Sequence, residues 1–375
     1  VKISLVCPHV EHAFTGETSS LEALKICLEK SGITCRIVVP PLGPALAGQE
    51  NAWKRLQRMR SILHGLPSEP DPPDLYHIFL PTPSLSWVLP RSLPARALVT
   101  FEGLLIGEEW RTLLKLMPAA PMYSAVRLLI NNSLVARIGR SPWPVTVASE
   151  RQKRDIVAIG YSADRVHVMP NIVRPNFLGY TLERDECVRI LGLDPARRYV
   201  TYLGHFMPSK GVEELVAAYD GICRRHADVD LLLAWSGVGE GRGIERLIAE
   251  KGMCHRVKVL GALDPRVVLR ASHLAVFPYR TLHGHSLLPS AIIEALAIGT
   301  PVLVPRHAIF SALDGLLHFC SNTSSEELER CIDEIISGRT SVMKGVELET
   351  AYRARMDPAT LGGQMIQLYE SAINA

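Results

Sequence analysis

The feature that most limits what this chain can fold into is an alternation that occurs twice. Short runs rich in β-branched and aromatic residues recur along the sequence, and longer stretches with helical spacing of their apolar positions lie between them. The first series of runs falls at residues 3–6, 35–39, 75–79, 97–101 and 144–148, with a helical pattern at 21–30 after the first of them. After Pro170, Asn171 and an irregular stretch at 174–184, the alternation restarts with runs at 199–203, 231–234, 257–260, 274–277 and 301–304. Short strands separated by helices pair in parallel and are covered by those helices, so the fold class is α/β. Two series imply two Rossmann-like domains, at residues 1–173 and 174–355, followed by a terminal helix within 356–375. In open parallel sheets, ligands bind beyond the carboxyl ends of the strands, which makes the strand-end loops the places to search.

Composition removes several classes of function. The 375 residues are 47% apolar and 21% charged, enough for sizeable cores. A net charge of +3 is too small to point to nucleic acid, and no basic-and-aromatic RNA-binding pattern is present. The eight cysteines show no C-x-x-C pair, which favours a reducing compartment and a cytoplasmic reading. No stretch reaches the roughly 18 apolar residues of a spanning helix. Residues 110–149 contain no acidic residue but do contain Arg111, Lys115, Arg127, Arg137 and Arg140 among apolar neighbours. With the basic run from Trp53 to Arg60, this is either a surface for an anionic membrane or a set of amphipathic core helices.

Three places carry chemistry. From His283 to Pro305 the chain reads HGHSLLPSAIIEALAIGTPVLVP, which puts one carboxylate, Glu294, inside an apolar helical run ending at Gly299. A buried carboxylate needs a partner, either a basic residue or a donor-rich ligand such as a ribose diol. Ahead of it, Ser286 is placed to cap the helix with Pro289 in its first turn, leaving the amides of Leu287 and Leu288 for phosphate. The second place is 204–210, which follows a strand and opens a helix near Gly211. Helix amides and the Lys210 ammonium there would suit a diphosphate, the alternative being a solvated lysine at a helix start. The third is the loop at 8–17, whose His9, Glu11 and His12 either meet an acceptor or are solvated.

The phrase EALAIGTPVL at 294–303 resembles the E-x7-E region of the retaining GT-B glycosyltransferases, most closely family 4. The resemblance continues in VTYLGHFMPSKGVEEL at 200–215, MPNIV at 169–173, DLYHIF at 74–79 and VKVLG at 257–261, and so covers nearly the whole chain. It implies a GT-B fold: two Rossmann-like domains facing across a cleft, with the last helix crossing back onto the first. It also implies a hexosyltransferase-type enzyme that moves a sugar from a nucleotide-diphosphate sugar, of UDP or GDP type, to an acceptor hydroxyl with retention. Small-molecule, lipid-linked and glycan acceptors all fit, and neither metal nor cofactor is expected. By the same resemblance Lys210 and His205 stabilise the leaving diphosphate, Glu294 holds the ribose, and Gly204, Ser286, Leu287 and Leu288 line the donor. Gly261 presents backbone to the base, Gly16 offers an amide at close range, and Glu102 orients the sugar or acceptor, or else sits in a structural salt bridge. The chain departs from the family pattern in three places. Ser286 replaces the first Glu, His205 the usual Arg, and Glu102 a histidine. These departures keep open a catalytically silent nucleotide-sugar-binding subunit, and a non-hydrolysing sugar-nucleotide epimerase is the third reading.

Overall fold

The computed structural model describes residues 1–9, 16–40, 52–81, 83–102, 141, 143–261, 263–280 and 288–374. The chain divides into two compact units. One comprises Val1–Pro175, His283–Ser290 and Met356–Ala375, and the other Asn176–Leu282 and Ala291–Arg355.

The first unit is built on a six-stranded sheet: β1 (Lys2–Val6), β2 (Thr34–Val38), β3 (Leu75–Leu80), β4 (Arg96–Phe101), β5 (Val145–Val147) and β6 (Val166–Val168). Its order is β2-β1-β3-β4-β5-β6, and every adjacent pair is parallel. All six side chains of β3 are buried, which is why it reads as a continuous run rather than an alternating one. Helices α1 (Gly16–Lys30) and α2 (Ala52–Gly65) make the first two crossovers, and α3 (Glu150–Ala158) joins β5 to β6. Ser149 caps α3, accepting from the Gln152 amide.

The second unit repeats the plan with β7 (Arg198–Phe206), β8 (Val229–Gly239), β9 (Val257–Leu260), β10 (Leu274–Val276), β11 (Val302–Pro305) and β12 (His318–Cys320). The order is β12-β11-β10-β7-β8-β9, again wholly parallel. Its described helices are α4 (Arg184–Ile190), α5 (Val212–Arg225), α6 (Gly241–Glu250), α7 (Pro265–Ala271), α8 (Ser290–Ala297), α9 (Ser325–Ile336) and α10 (Gly345–Met356); α8 begins on the last residue of the first unit and α10 ends at the following boundary.

The last helix, α11 (Pro358–Asn374), belongs to the first unit. Its Tyr369 hydroxyl lies 2.6 Å from Nδ1 of buried His77 on β3, whose Nε2 lies 2.5 Å from Thr100 Oγ1 on β4. Gly362 comes so close to α1 that an added Cβ would sit 3.1 Å from Cys27 Cβ.

Two local expectations are corrected. The strand expected to end at 203 runs on to Phe206, because Gly204 adopts φ +147° and a register shift opposite β8 keeps the chain paired beyond it. The helix expected to be capped by Ser286 opens at Ser290, so Ser286 stands four residues upstream of it and Pro289 precedes the first turn.

Candidate functional site

The second sheet changes its direction of growth at β7. Strands β8 and β9 are added on one side and β10, β11 and β12 on the other, so the topological switch point lies between β7 and β10. Strand-end loops diverge at such a point and leave room for a ligand. Lys210 lies in the loop that follows β7.

That loop makes a 3-10 turn at Pro208–Lys210 and enters α5 through Gly211. The loop after β10 runs alongside it through Pro278, Tyr279 and Arg280. The Arg280 amide donates to the Ser209 carbonyl at 3.0 Å, and the Arg280 guanidinium pairs with Glu214 on α5. Gly211 has φ +71°, and a Cβ there would lie 2.0 Å from the Pro278 carbonyl oxygen. The two loops therefore meet backbone to backbone, an approach that only glycine permits. Lys210 is 9% exposed, with Nζ 4.6 Å above the centre of the Tyr279 ring. This rules out the solvated-lysine alternative, since the ammonium is held in the fold against a π face. Tyr279 is itself buried, and burial pushes its phenol well up from the ordinary value.

His205 stands near the end of β7. Its Nδ1 is hydrogen-bonded to Ser236 Oγ on β8, and the Tyr202 hydroxyl donates to its carbonyl at 2.7 Å. The imidazole is thus oriented by the neighbouring strand. Beside it, Gly239 has φ +96° and packs so that a Cβ would fall 2.0 Å from the Phe206 carbonyl, closing the paired ends of β7 and β8.

Glu294 lies on α8 and is 5% exposed. The helix ends in a left-handed turn at Gly299 (φ +80°), with the Thr300 amide donating back to Ala295 O at 2.9 Å. Tyr352 of α10 is buried close enough to feel this carboxylate. Burial first, and the Glu294 charge second, raise its phenol pKa. Gly261 follows edge strand β9 and is exposed. Leu288 is fully buried and accepts from Asn171 Nδ2 at 3.0 Å. Ser286, Leu287, Glu11 and His12 lie outside the described residues, as does the basic segment over 103–140.

In the first unit, Gly16 is the first residue of α1. Glu102 follows β4, and its Oε2 lies 2.6 Å from His9 Nε2, so the salt-bridge alternative for Glu102 and a contact for His9 are met by one another. Burial alone would lower the His9 pKa, but Cys7 and Glu102 beside it raise it well above the ordinary imidazole value. Among the described residues, Cys7, His9 and Glu102 are the group whose ligand atoms lie close enough to share a metal ion, within 4.8 Å of one another.

Sequence reasoning missed Tyr279, Ser236 and Cys7. Tyr279 and Ser236 are remote in sequence from the residues they touch, whereas Cys7 is only two residues from His9. Only the Tyr-bearing turn directly after a buried strand gave any local signal.

Residues 197–337 match the family described as "Glycosyl transferases group 1". A D-inositol 3-phosphate glycosyltransferase from Segniliparus rotundus is 34% identical over 122 residues, which is 31% of this chain and only 26% of the relative's own length. Over the whole chain, the crystal structure of WaaG, a glycosyltransferase involved in lipopolysaccharide biosynthesis, is similar with a TM-score of 0.69, 14% identity and coverage of 98% of this chain and 99% of that one. Alr3699/HepE from Anabaena, in complex with UDP and glucose, is similar with a TM-score of 0.67 and 15% identity, covering 98% of this chain and 99% of its own. Among the described residues no helix is long and apolar enough to cross a membrane. Topology and whole-chain likeness agree on the GT-B fold, and within it residues 197–337 are similar to the group 1 glycosyl transferases.

Proposed function

We propose that this protein transfers a sugar from a nucleotide-diphosphate sugar, of UDP or GDP type, to an acceptor hydroxyl with retention of anomeric configuration and without a metal ion. The observation that carries the reading is the buried Lys210 ammonium at the switch point of the group 1 domain. A diphosphate leaving group carries the negative charge such an ammonium suits, and the UDP and glucose bound to the Anabaena protein support a UDP-type donor. Lys210 and His205 then stabilise charge developing on the departing diphosphate, and most of the rate comes from that stabilisation and from positioning. Ser236 fixes the His205 ring for this task. Glu294 accepts from the ribose hydroxyls, with Gly204, Ser286, Leu287, Leu288 and Gly261 as the remaining donor contacts. In the first unit Gly16 offers a backbone amide to the donor, Glu102 orients the sugar or acceptor, and His9, Glu11 and His12 meet the acceptor. A lipid-linked acceptor would bring an anionic membrane against α2, where Trp53, Lys54 and Arg60 are exposed.

A thermal-shift panel of UDP, GDP, ADP and CDP with their sugar conjugates tests the donor site, because a ligand at 100 times its Kd adds about 2.7 kcal/mol. A selective shift by one nucleotide is the expected result. Absence of any shift would leave the silent-subunit reading in its place. Proton NMR of the first-formed product would report the anomeric outcome.

A further inference from the structure

The loops after β1 and β4 bring a thiol, an imidazole and a carboxylate together at the carboxyl edge of the first sheet. Each backbone is pinned one residue beyond its strand. The Cys7 amide still donates to Val38 O of β2 at 2.9 Å, and the Glu102 amide to Leu80 O of β3 at 2.9 Å. Cys7 is fully buried and Glu102 is 6% exposed. The His9 ring stands between them, with Nδ1 and Nε2 at 3.7 and 3.8 Å from Cys7 Sγ and Nε2 at 2.6 Å from Glu102 Oε2.

We propose that Cys7, His9 and Glu102 form a binding site for a zinc-like divalent transition-metal ion. The donor set decides the class of ion: thiolate and imidazole suit zinc and its first-row neighbours, whereas magnesium and calcium take oxygen ligands. The Nε2–Sγ separation of 3.8 Å is close to the roughly 3.6 Å between sulfur and nitrogen ligands of a tetrahedral site with Zn–S of about 2.3 Å and Zn–N of about 2.0–2.1 Å. Because Sγ stands nearly equidistant from both ring nitrogens, the imidazole must turn to aim Nε2 at an ion shared with it. The Nε2 to Oε2 separation is that of a hydrogen bond and opens by about 0.7 Å to admit an ion at about 2.0–2.1 Å from each atom. Ligation takes the neutral imidazole nitrogen and the thiolate, so the proton on Sγ and any proton on Nε2 leave to water as the ion enters. Three protein ligands leave a fourth position for water. The ion plays no part in the transfer proposed above, and when bound it would occupy His9 and Glu102, which that reading gives to the acceptor or sugar.

The test is titration of the full chain, first stripped with chelator, with Co2+ as the probe. It is read by the near-ultraviolet thiolate-to-cobalt charge-transfer band and by displacement with Zn2+. The expected result is a band that saturates at one ion per chain and is lost in Cys7→Ser. The band should be retained in Cys254→Ser, which removes the exposed cysteine. His9→Gln and Glu102→Gln, which leave the thiol in place, should weaken cobalt binding at least about tenfold; they keep the proposal open to refutation if Cys7→Ser does not fold. No band in the wild-type chain, an undiminished band in a folded Cys7→Ser, or unchanged affinity in both other variants would overturn the site.

Discussion

Replacing Lys210 with Met separates a binding role for the ammonium from a structural one. Methionine keeps the length of the apolar stem against Tyr279 and removes only the charge. The fold loses a cation–π contact worth about 0.5–2 kcal/mol. At roughly 2–4 °C per kcal/mol, the ligand-free melting temperature should therefore fall by no more than about 8 °C. Donor binding should respond very differently. A hydrogen bond to a charged partner contributes about 1.5–3 kcal/mol, so UDP affinity should fall roughly 10- to 150-fold. At a UDP concentration about 100 times the wild-type Kd, the stabilisation drops from about 2.7 kcal/mol to about 0.3–1.4 kcal/mol. At roughly 2–4 °C per kcal/mol, the shift shrinks from roughly 5–11 °C to roughly 1–6 °C. Differential scanning fluorimetry with a UDP titration reads both quantities from one sample. An unchanged UDP shift in Lys210→Met would refute the diphosphate assignment. A large loss of ligand-free stability would show instead that the charge is a structural requirement.

Four further substitutions test the physics of the fold. Gly211→Ala forces a left-handed alanine, at about 1–2 kcal/mol, and drives its Cβ into Pro278. With a further 1–3 kcal/mol or so for overpacking, urea denaturation should register a loss of about 2–5 kcal/mol, and a loss below 1 kcal/mol would contradict the loop contact. Asp230 is 2% exposed and accepts from Arg197 Nη2 at 2.7 Å and Arg256 Nε at 2.8 Å; Asp230→Ala, which strands two guanidinium groups, should cost about 3–5 kcal/mol in the same assay. Tyr352 carries a buried hydroxyl with no hydrogen-bond partner among the described residues, so Tyr352→Phe should be neutral or stabilising, and a loss above about 1 kcal/mol would reveal a partner. Burial lowers His77 to about 3, against about 6.5 in an unfolded chain. Below 6.5 the unfolded state binds the extra proton. His77 therefore contributes fully above that pH, and the stability it confers is lost at about 1.4 kcal/mol per pH unit as the pH falls toward 3, a slope that His77→Gln should flatten in acid titration.

The strands that the sequence announced are those whose side chains are buried together. β3 and β11 bury every side chain and read as unbroken apolar runs. β6 and β12 lie at sheet edges, are three residues long and are only partly buried, so they left no pattern to read. Lys210 and Glu294 were legible because a charge within an apolar neighbourhood is chemically conspicuous. The partners of Lys210 and His205 were not, because strand order cannot be read from periodicity. Tyr279 reaches Lys210 only because β10 pairs with β7, and Ser236 reaches His205 only because β8 pairs with β7 on its other side. The same logic links the two candidate centres. In the second sheet the switch point falls between β7 and β10, where Lys210 and Tyr279 meet. In the first sheet β2 is added on one side of β1 and β3 on the other, so the switch point lies between β1 and β3, and the loop leaving β1 there carries Cys7 and His9. One topological rule thus selects both clusters, the first from a buried ammonium and the second from a thiol and an imidazole.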